Sequence, residues 1–207
     1  MKQYRDCYAL VIHLPYSYDR WRYVQDIKSE FPKLHIIEAV DGNNVDEKYL
    51  EMSNFKRVPY LKKESILARA ACFLSHKKSL EYIVKNKMNN IIVFEDDVIF
   101  IHDDFLNEEI DEEYDMVYLG YRTIKSSKRG KYRISQTHAI YYKDYEIAET
   151  ILEFMDNNPN KWTTWYIFLN DEILPYMKYK LNKWVDQVSG KDVKSLINIQ
   201  SMEVFNS

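Results

Sequence analysis

The chain has 207 residues, 46% of them hydrophobic and 29% charged, enough to bury a core without disulfide or metal staples, and no stretch has the composition of a disordered tail. The formal charge of −3, with Lys and Arg interleaved among Asp and Glu, supplies no basic stripe for a phosphate backbone, so nucleic acid is excluded as the expected partner. Cys7 and Cys72 lie far apart in apolar runs and are expected to be reduced; with no signal-like start and no apolar run of roughly 18 residues, the expectation is a cytoplasmic protein without a transmembrane segment.

Residues 8–14 are a short apolar run ended by Pro15, which predicts a buried strand. Residues 20–31, capped by Ser17 or Asp19 and closed at Pro32, predict a helix. Residues 34–40 predict a second strand, followed by the turn Asp41-Gly42-Asn43-Asn44, read as an Asx-turn with Gly42 at positive φ. From 64 to about 87, Ile66, Ala70, Phe73, Leu74, Leu80 and Val84 recur near helical spacing and predict one long amphipathic helix. Asn89-Asn90 breaks it, and the uninterrupted apolar strand 91–94 runs into Glu95-Asp96-Asp97. Further strands are expected at 116–119 and 137–142, and helices at 145–157 and 171–178, the last despite Pro175. The basic segment 125–133 reads as a mobile surface loop, and the last ~20 residues, 187–207, as a tail that packs over the site or frays. Alternating strands and helices predict a single α/β domain over 1–207, with a mainly parallel sheet flanked by helices.

Four glycines and no G-x-G-x-x-G or Walker sequence argue against a glycine-rich phosphate cradle. Three successive carboxylates at the exit of a buried strand repel one another and call for a compensating positive charge. Ligands of open α/β sheets bind beyond the carboxyl ends of the strands, and a bare carboxylate cluster there suits Mg²⁺ or Mn²⁺ bridging to a diphosphate. The bland alternative is that these acids cap a turn or sit in water. The apolar run Val98-Ile99-Phe100-Ile101 that follows them places them inside the framework of the core.

Three segments in order resemble glycosyltransferase family 25, which includes lipooligosaccharide and procollagen galactosyltransferases: Cys72-Phe73-Leu74-Ser75-His76, Leu80-Glu81-Tyr82-Ile83-Val84, and Val93-Phe94-Glu95-Asp96-Asp97. The family's pattern is G-C-x-x-S-H, a helix, and an apolar strand ending in E-D-D. Weaker matches are Ile12-His13-Leu14 with Asp19-Arg20, Val40-Asp41-Gly42, Tyr118-Leu119-Gly120, Thr137-His138-Ala139 and Asp171-Glu172-Ile173-Leu174-Pro175. Where the family has G-E-I-G-C, this chain has Ala68-Arg69-Ala70-Ala71-Cys72, so both glycines and the acid are replaced.

The resemblance implies a Rossmann-like GT-A fold and an inverting, Mn²⁺- or Mg²⁺-dependent transfer of a hexose, galactose or glucose, from a UDP-sugar to a hydroxyl of a glycan, glycoprotein or glycolipid. It implies Glu95 and Asp97 as the metal pair, and Leu14, Arg20, Asp41, Glu95 and Asp96 as donor-binding residues; at the departure from the family pattern, either Arg69 meets part of the diphosphate and joins the donor-binding residues, or donor binding is weakened. Asp171, opening a late helix, is implied as the general base. Ser75 and His76 are read as support for the site and His138 as a candidate extra metal contact. Trp162 and Trp165 are read either as a platform for an acceptor sugar or as core. Two alternatives stand beside this reading. One is a metal-dependent phosphohydrolase drawing further ligands from His102, Asp103 and Asp104; the other is a degenerate sugar-nucleotide-binding domain, suggested by Ala68 and Ala71.

Overall fold

The computed structural model describes residues 2–54, 62–102, 104–125 and 132–187. In chain order its elements are β1 (Tyr8–His13), α1 (Trp21–Glu30), β2 (Leu34–Glu38), α2 (Glu47–Met52), α3 (Lys63–Lys85), β3 (Ile91–Glu95), β4 (Val98–Phe100), β5 (Met116–Lys125), β6 (Tyr132–Tyr142), α4 (Tyr145–Asn157), α5 (Trp165–Phe168), β7 (Tyr179–Leu181) and β8 (Val185–Gln187). Six strands form the main sheet in the order β2-β1-β3-β6-β5-β7, while β4 and β8 form a separate pair. β1 runs parallel to β2 and β3, β5 runs parallel to β7, and β6 is antiparallel to both β3 and β5, so β6 alone is reversed.

The central strands are apolar on both faces because helices cover both. Leu10, Ile12, Ile91 and Val93 pack with Phe73, Leu80 and Ile83 of α3 and Ile151 and Met155 of α4. Their alternates Ala9, Val11, Ile92 and Phe94 pack with Val24 and Ile27 of α1 and with Phe31. α4 shows why such a segment is helical. Asp144 caps it by accepting the Ile147 N–H at 3.1 Å, worth about 1 kcal/mol. Ala148, Ile151 and Met155 then recur on one buried face, the two larger side chains contributing about 1.5–3 kcal/mol each.

Several boundaries differ from the sequence expectation. β2 ends at Glu38, two residues early, and β5 and β6 are arms of 10 and 11 residues that absorb Lys125, Tyr132 and Arg133 from the expected loop. The rest of that loop, 126–131, and the tail beyond Gln187 lie outside the described residues. The helix expected at 171–178 starts earlier, at Trp165, because Trp165, Phe168 and Leu169 bury one helical stripe. It continues as a π-helical turn over Leu169–Ile173 and ends as a 3-10 turn over Leu174–Tyr176, where Pro175 has no N–H to prolong it.

The β4–β8 pair was not expected. It sets Gln187 opposite Val98 and Val185 opposite Phe100, folding the late chain back beside the acidic cluster. Gly120 makes this possible: a Cβ there would lie 2.4 Å from Val185 Cγ2 and 3.0 Å from the Val185 carbonyl oxygen. Among the described residues no helix is long and apolar enough to cross a membrane.

Candidate active site

Strand alternation distributes the three acids. Ile91 and Val93 face α3, and so does Glu95, whose Oε1 lies 3.4 Å from His76 Nε2. Asp96 turns to the other side, where His13, in register with Ala9 and Val11, and Arg20 await it. His13 Nδ1 lies 2.8 Å from Asp96 Oδ2 and Arg20 Nη1 donates to Asp96 Oδ1 at 2.6 Å. Asp96 is 5% exposed with both oxygens engaged. Counted among the donor-binding residues from the sequence, it lines the cavity and holds Arg20 in place. Arg20 remains partly exposed and also lies 3.3 Å from Asp97 Oδ2.

The Gln187 side-chain amide donates from Nε2 to Asp97 Oδ2 at 2.7 Å and to Glu95 Oε2 at 3.3 Å, bracketing the two carboxylates. Asp97 Oδ1 is buried and has no hydrogen-bond partner among the described residues. Burial and the neighbouring Glu95 raise the Asp97 carboxyl to about 7, against the pull of Arg20 and Gln187. Burial also raises Glu95, but the hydrogen bond and charge of His76, with His138 and Arg20, leave it below its ordinary value. Two adjacent carboxyls are thus driven apart: Glu95 is held below its ordinary value, while burial and the charge of Glu95 hold Asp97 up at about 7 despite the Arg20 guanidinium 3.3 Å away.

These groups line a cavity of about 640 Å³ at the carboxyl ends of β1, β2 and β3. Its walls are Ile12, Leu14, Val40, Asp41, Gly42 and the α3 residues Ala68, Ala71, Cys72 and His76. Ser75 fastens the wall: its Oγ accepts the Val40 N–H at 2.8 Å and donates to the Ala71 carbonyl at 2.7 Å. Asp41 accepts the Asn43 N–H at 2.8 Å in the expected Asx-turn. A hydrogen bond from Tyr16, then that from Asn43, lowers its carboxyl. Gly42 does not take the left-handed backbone; its added Cβ would meet Ala68 N at 3.5 Å, an ordinary contact.

The cavity therefore gathers Leu14, Arg20, Asp41, Glu95, Asp96 and Asp97 from the residues singled out in the sequence. It does not gather Arg69, which lies off the cavity-lining stripe of α3, or Asp171, which is exposed on the π-helical turn rather than at a helix start. His138 is fully buried behind the site, its ring nitrogens without hydrogen bonds among the described residues and its pKa lowered by burial. Trp162 and Trp165 belong to the core. Trp162 stacks on Tyr49 and donates to the Met155 carbonyl, and Trp165 stacks on His76 with centroids 4.8 Å apart. His102 and Asp104 are exposed and outside the lining, and Asp103 lies outside the described residues. Gln187 and His13 were missed. His13 had a usable signal, the alternation along β1, whereas Gln187 reaches Asp97 from 90 positions away through a strand pair without a local signature.

The model of glycosyltransferase family 25, described as LPS biosynthesis proteins, matches residues 8–185. The chain belongs to this family. Its mixed sheet with helices on both faces is the GT-A architecture expected of a family 25 member, and glycosyl transfer, with a sugar donor and an acceptor, is the activity of the family. No curated protein matches the chain. Solved structures similar to it include a glycosyltransferase involved in glycosylation of the major capsid of PBCV-1, at 13% identity, 95% of this chain, 99% of that one and a TM-score of 0.48. Others are the CTP:phosphocholine cytidylyltransferase LicC of Streptococcus pneumoniae (14%, 95% and 78%, 0.42) and the inositol-1-phosphate CTP transferase of T. maritima (10%, 100% and 100%, 0.45). At these identities and scores the functional reading of this family 25 chain rests on the family match and the site.

Proposed function

We propose that this family 25 glycosyltransferase transfers a hexosyl group, galactose or glucose, from a UDP-sugar to a hydroxyl of a glycan, glycoprotein or glycolipid, with inversion and with Mn²⁺ or Mg²⁺ as cofactor. The family's description as LPS biosynthesis proteins favours a lipopolysaccharide-type glycan as acceptor. The observation that carries the metal is the Glu95–Asp97 pair: two carboxylates share one amide donor, and Asp97 Oδ1, without a partner among the described residues, is buried beside the cavity. An all-oxygen donor set of this kind fits a hard divalent cation held by Glu95 and Asp97. Such a cation would supply Lewis-acid stabilisation of the departing diphosphate.

The chain's own residues account for the rest of donor binding. Arg20, braced by Asp96, presents a guanidinium to the diphosphate. Asp41, kept ionised by Tyr16 and Asn43, offers its carboxylate to ribose hydroxyls. Leu14, Ile12 and Val40 supply an apolar wall that limits water. Inversion needs a base for the acceptor hydroxyl; Asp171, implied for that role by the resemblance, is outside the cavity lining.

The test is thermal unfolding with UDP, in chelator and in Mn²⁺, followed by anomeric analysis of the product by NMR. UDP at 100 times its Kd in Mn²⁺ should stabilise the protein by about 2.7 kcal/mol, with no such gain in chelator. Equal stabilisation in chelator overturns the metal assignment, and a product that keeps the donor's configuration overturns inversion.

A further inference from the structure

We propose that Cys72, His76 and Glu95 form a second cation seat, suited to a thiophilic divalent ion such as Zn²⁺ and chemically distinct from the carboxylate pair. Cys72 and His76 are four residues apart on α3 and so share one face, and Glu95 ends β3 directly opposite them. One ligand atom from each, Sγ, a ring nitrogen and a carboxylate oxygen, all lie within 4.8 Å of one another. Metal–ligand distances of roughly 2.0–2.3 Å put neighbouring atoms of a tetrahedral site roughly 3.5 Å apart, so small side-chain rotations close the set.

The seat is pre-oriented. The His76 ring is stacked on Trp165 at an interplanar angle of 9°, which fixes its plane with Nε2 towards Glu95. All three residues line the cavity, so the fourth position opens onto it, as in exchangeable three-ligand sites. Thiolate and imidazole select Zn²⁺ or Co²⁺ over Mn²⁺ and Mg²⁺, and binding releases the Cys72 thiol proton to solvent. Sharing Glu95 makes this ion a competitor of the donor's metal, a consequence that rests on the proposed function; the seat itself does not.

Co²⁺ added to the nucleotide-free protein should produce a thiolate-to-cobalt charge-transfer band in the near ultraviolet, which Zn²⁺ displaces at one ion per chain. Cys72→Ser and Cys72→Ala should both abolish the band and weaken Zn²⁺ binding by about 100-fold or more, since even outer-shell partners are worth about 10–100-fold. Cys7→Ala should keep the band, because Cys7 is buried in the cluster on the opposite face of the sheet. The absence of a band in the native protein, its survival in folded Cys72→Ala, or its loss in folded Cys7→Ala overturns the proposal. None of these readouts requires UDP, an acceptor or glycosyl transfer, so failure here is distinct from failure of the enzymatic reading.

Discussion

Asp97→Asn should make the metal-free protein more stable while destroying its response to donor and metal. The native carboxyl is 7% exposed and lies beside ionised Glu95, which together with burial raises it from 3.8 to about 7. A carboxyl raised on folding binds its proton more tightly in the native state, so its ionisation subtracts stability. The loss is absent below about pH 4, grows between about 4 and 7, and is complete above 7. At about 1.4 kcal/mol per pKa unit the upper bound is about 4 kcal/mol, and coupling to Glu95 brings the expected gain to about 1–3 kcal/mol. For a chain of this size that is roughly 3–10 °C in Tm at pH 8 in chelator. Asparagine can still accept the Gln187 amide hydrogen bond, so the change isolates the charge. Thermal unfolding by circular dichroism at pH 5 and pH 8, in chelator and in Mn²⁺ with UDP, reads all the terms. The gain should shrink at pH 5, and in Mn²⁺ with UDP the native protein should recover stability that the variant does not. A variant less stable than the native chain in chelator at pH 8, or one stabilised equally by Mn²⁺ with UDP, refutes the reasoning.

Arg20→Ala should raise the Kd for UDP in Mn²⁺ by roughly 10–100-fold, the worth of a charge-assisted contact, by calorimetry; an unchanged Kd removes Arg20 from the donor site. Gly120→Ala should cost about 1–3 kcal/mol of stability through overpacking against Val185, and should weaken Mn²⁺–UDP stabilisation by displacing β8 and Gln187. An unchanged melting curve would show that the close approach is not needed. Asp171→Asn, an exposed change outside the cavity lining, should leave the transfer rate within a fewfold of native; a loss of roughly 100- to 10,000-fold would return Asp171 to the chemistry as a base.

Local signals carried much of the fold and the centre of the site. The apolar runs of β1 and β3 and the helical spacing along α3 depend on neighbours within a few residues, and the acids follow β3 directly, so their placement at a strand's carboxyl end was legible. The division of labour among those acids was not, because it depends on which face each one meets. Asp96 is spent on His13 and Arg20, 83 and 76 positions away. β8 was illegible for the same reason: three residues cannot announce a pairing that only the gap left by Gly120 permits. The start of the late helix was not legible from the Asp171 motif. The buried stripe Trp165, Phe168 and Leu169 begins the helical run a turn and a half earlier and leaves Asp171 on its solvent side.

The departures from the family pattern on α3 acquire a physical meaning once the helix is placed. Ala68 and Ala71 stand where the family has glycines, and both line the cavity. Ser75 ties Val40 to α3, and a Cβ added at Gly42 would come within 3.5 Å of Ala68 N. The methyls therefore take room from whatever binds, and the ligand must approach the helix less closely than it would across glycine. Arg69 has the opposite significance. One residue on from Ala68 it is turned about 100° around the helix, away from the cavity-lining stripe, so the reversal of charge relative to the family lies off the cavity lining. Among the described residues that line the cavity, Arg20 is then the one Lys or Arg facing the acidic cluster. On the proposed reading, diphosphate recognition in this chain falls to the Arg20–Asp96 pair, and Asp96→Asn, which loosens Arg20 without removing it, should weaken UDP binding in the same direction as Arg20→Ala but by less.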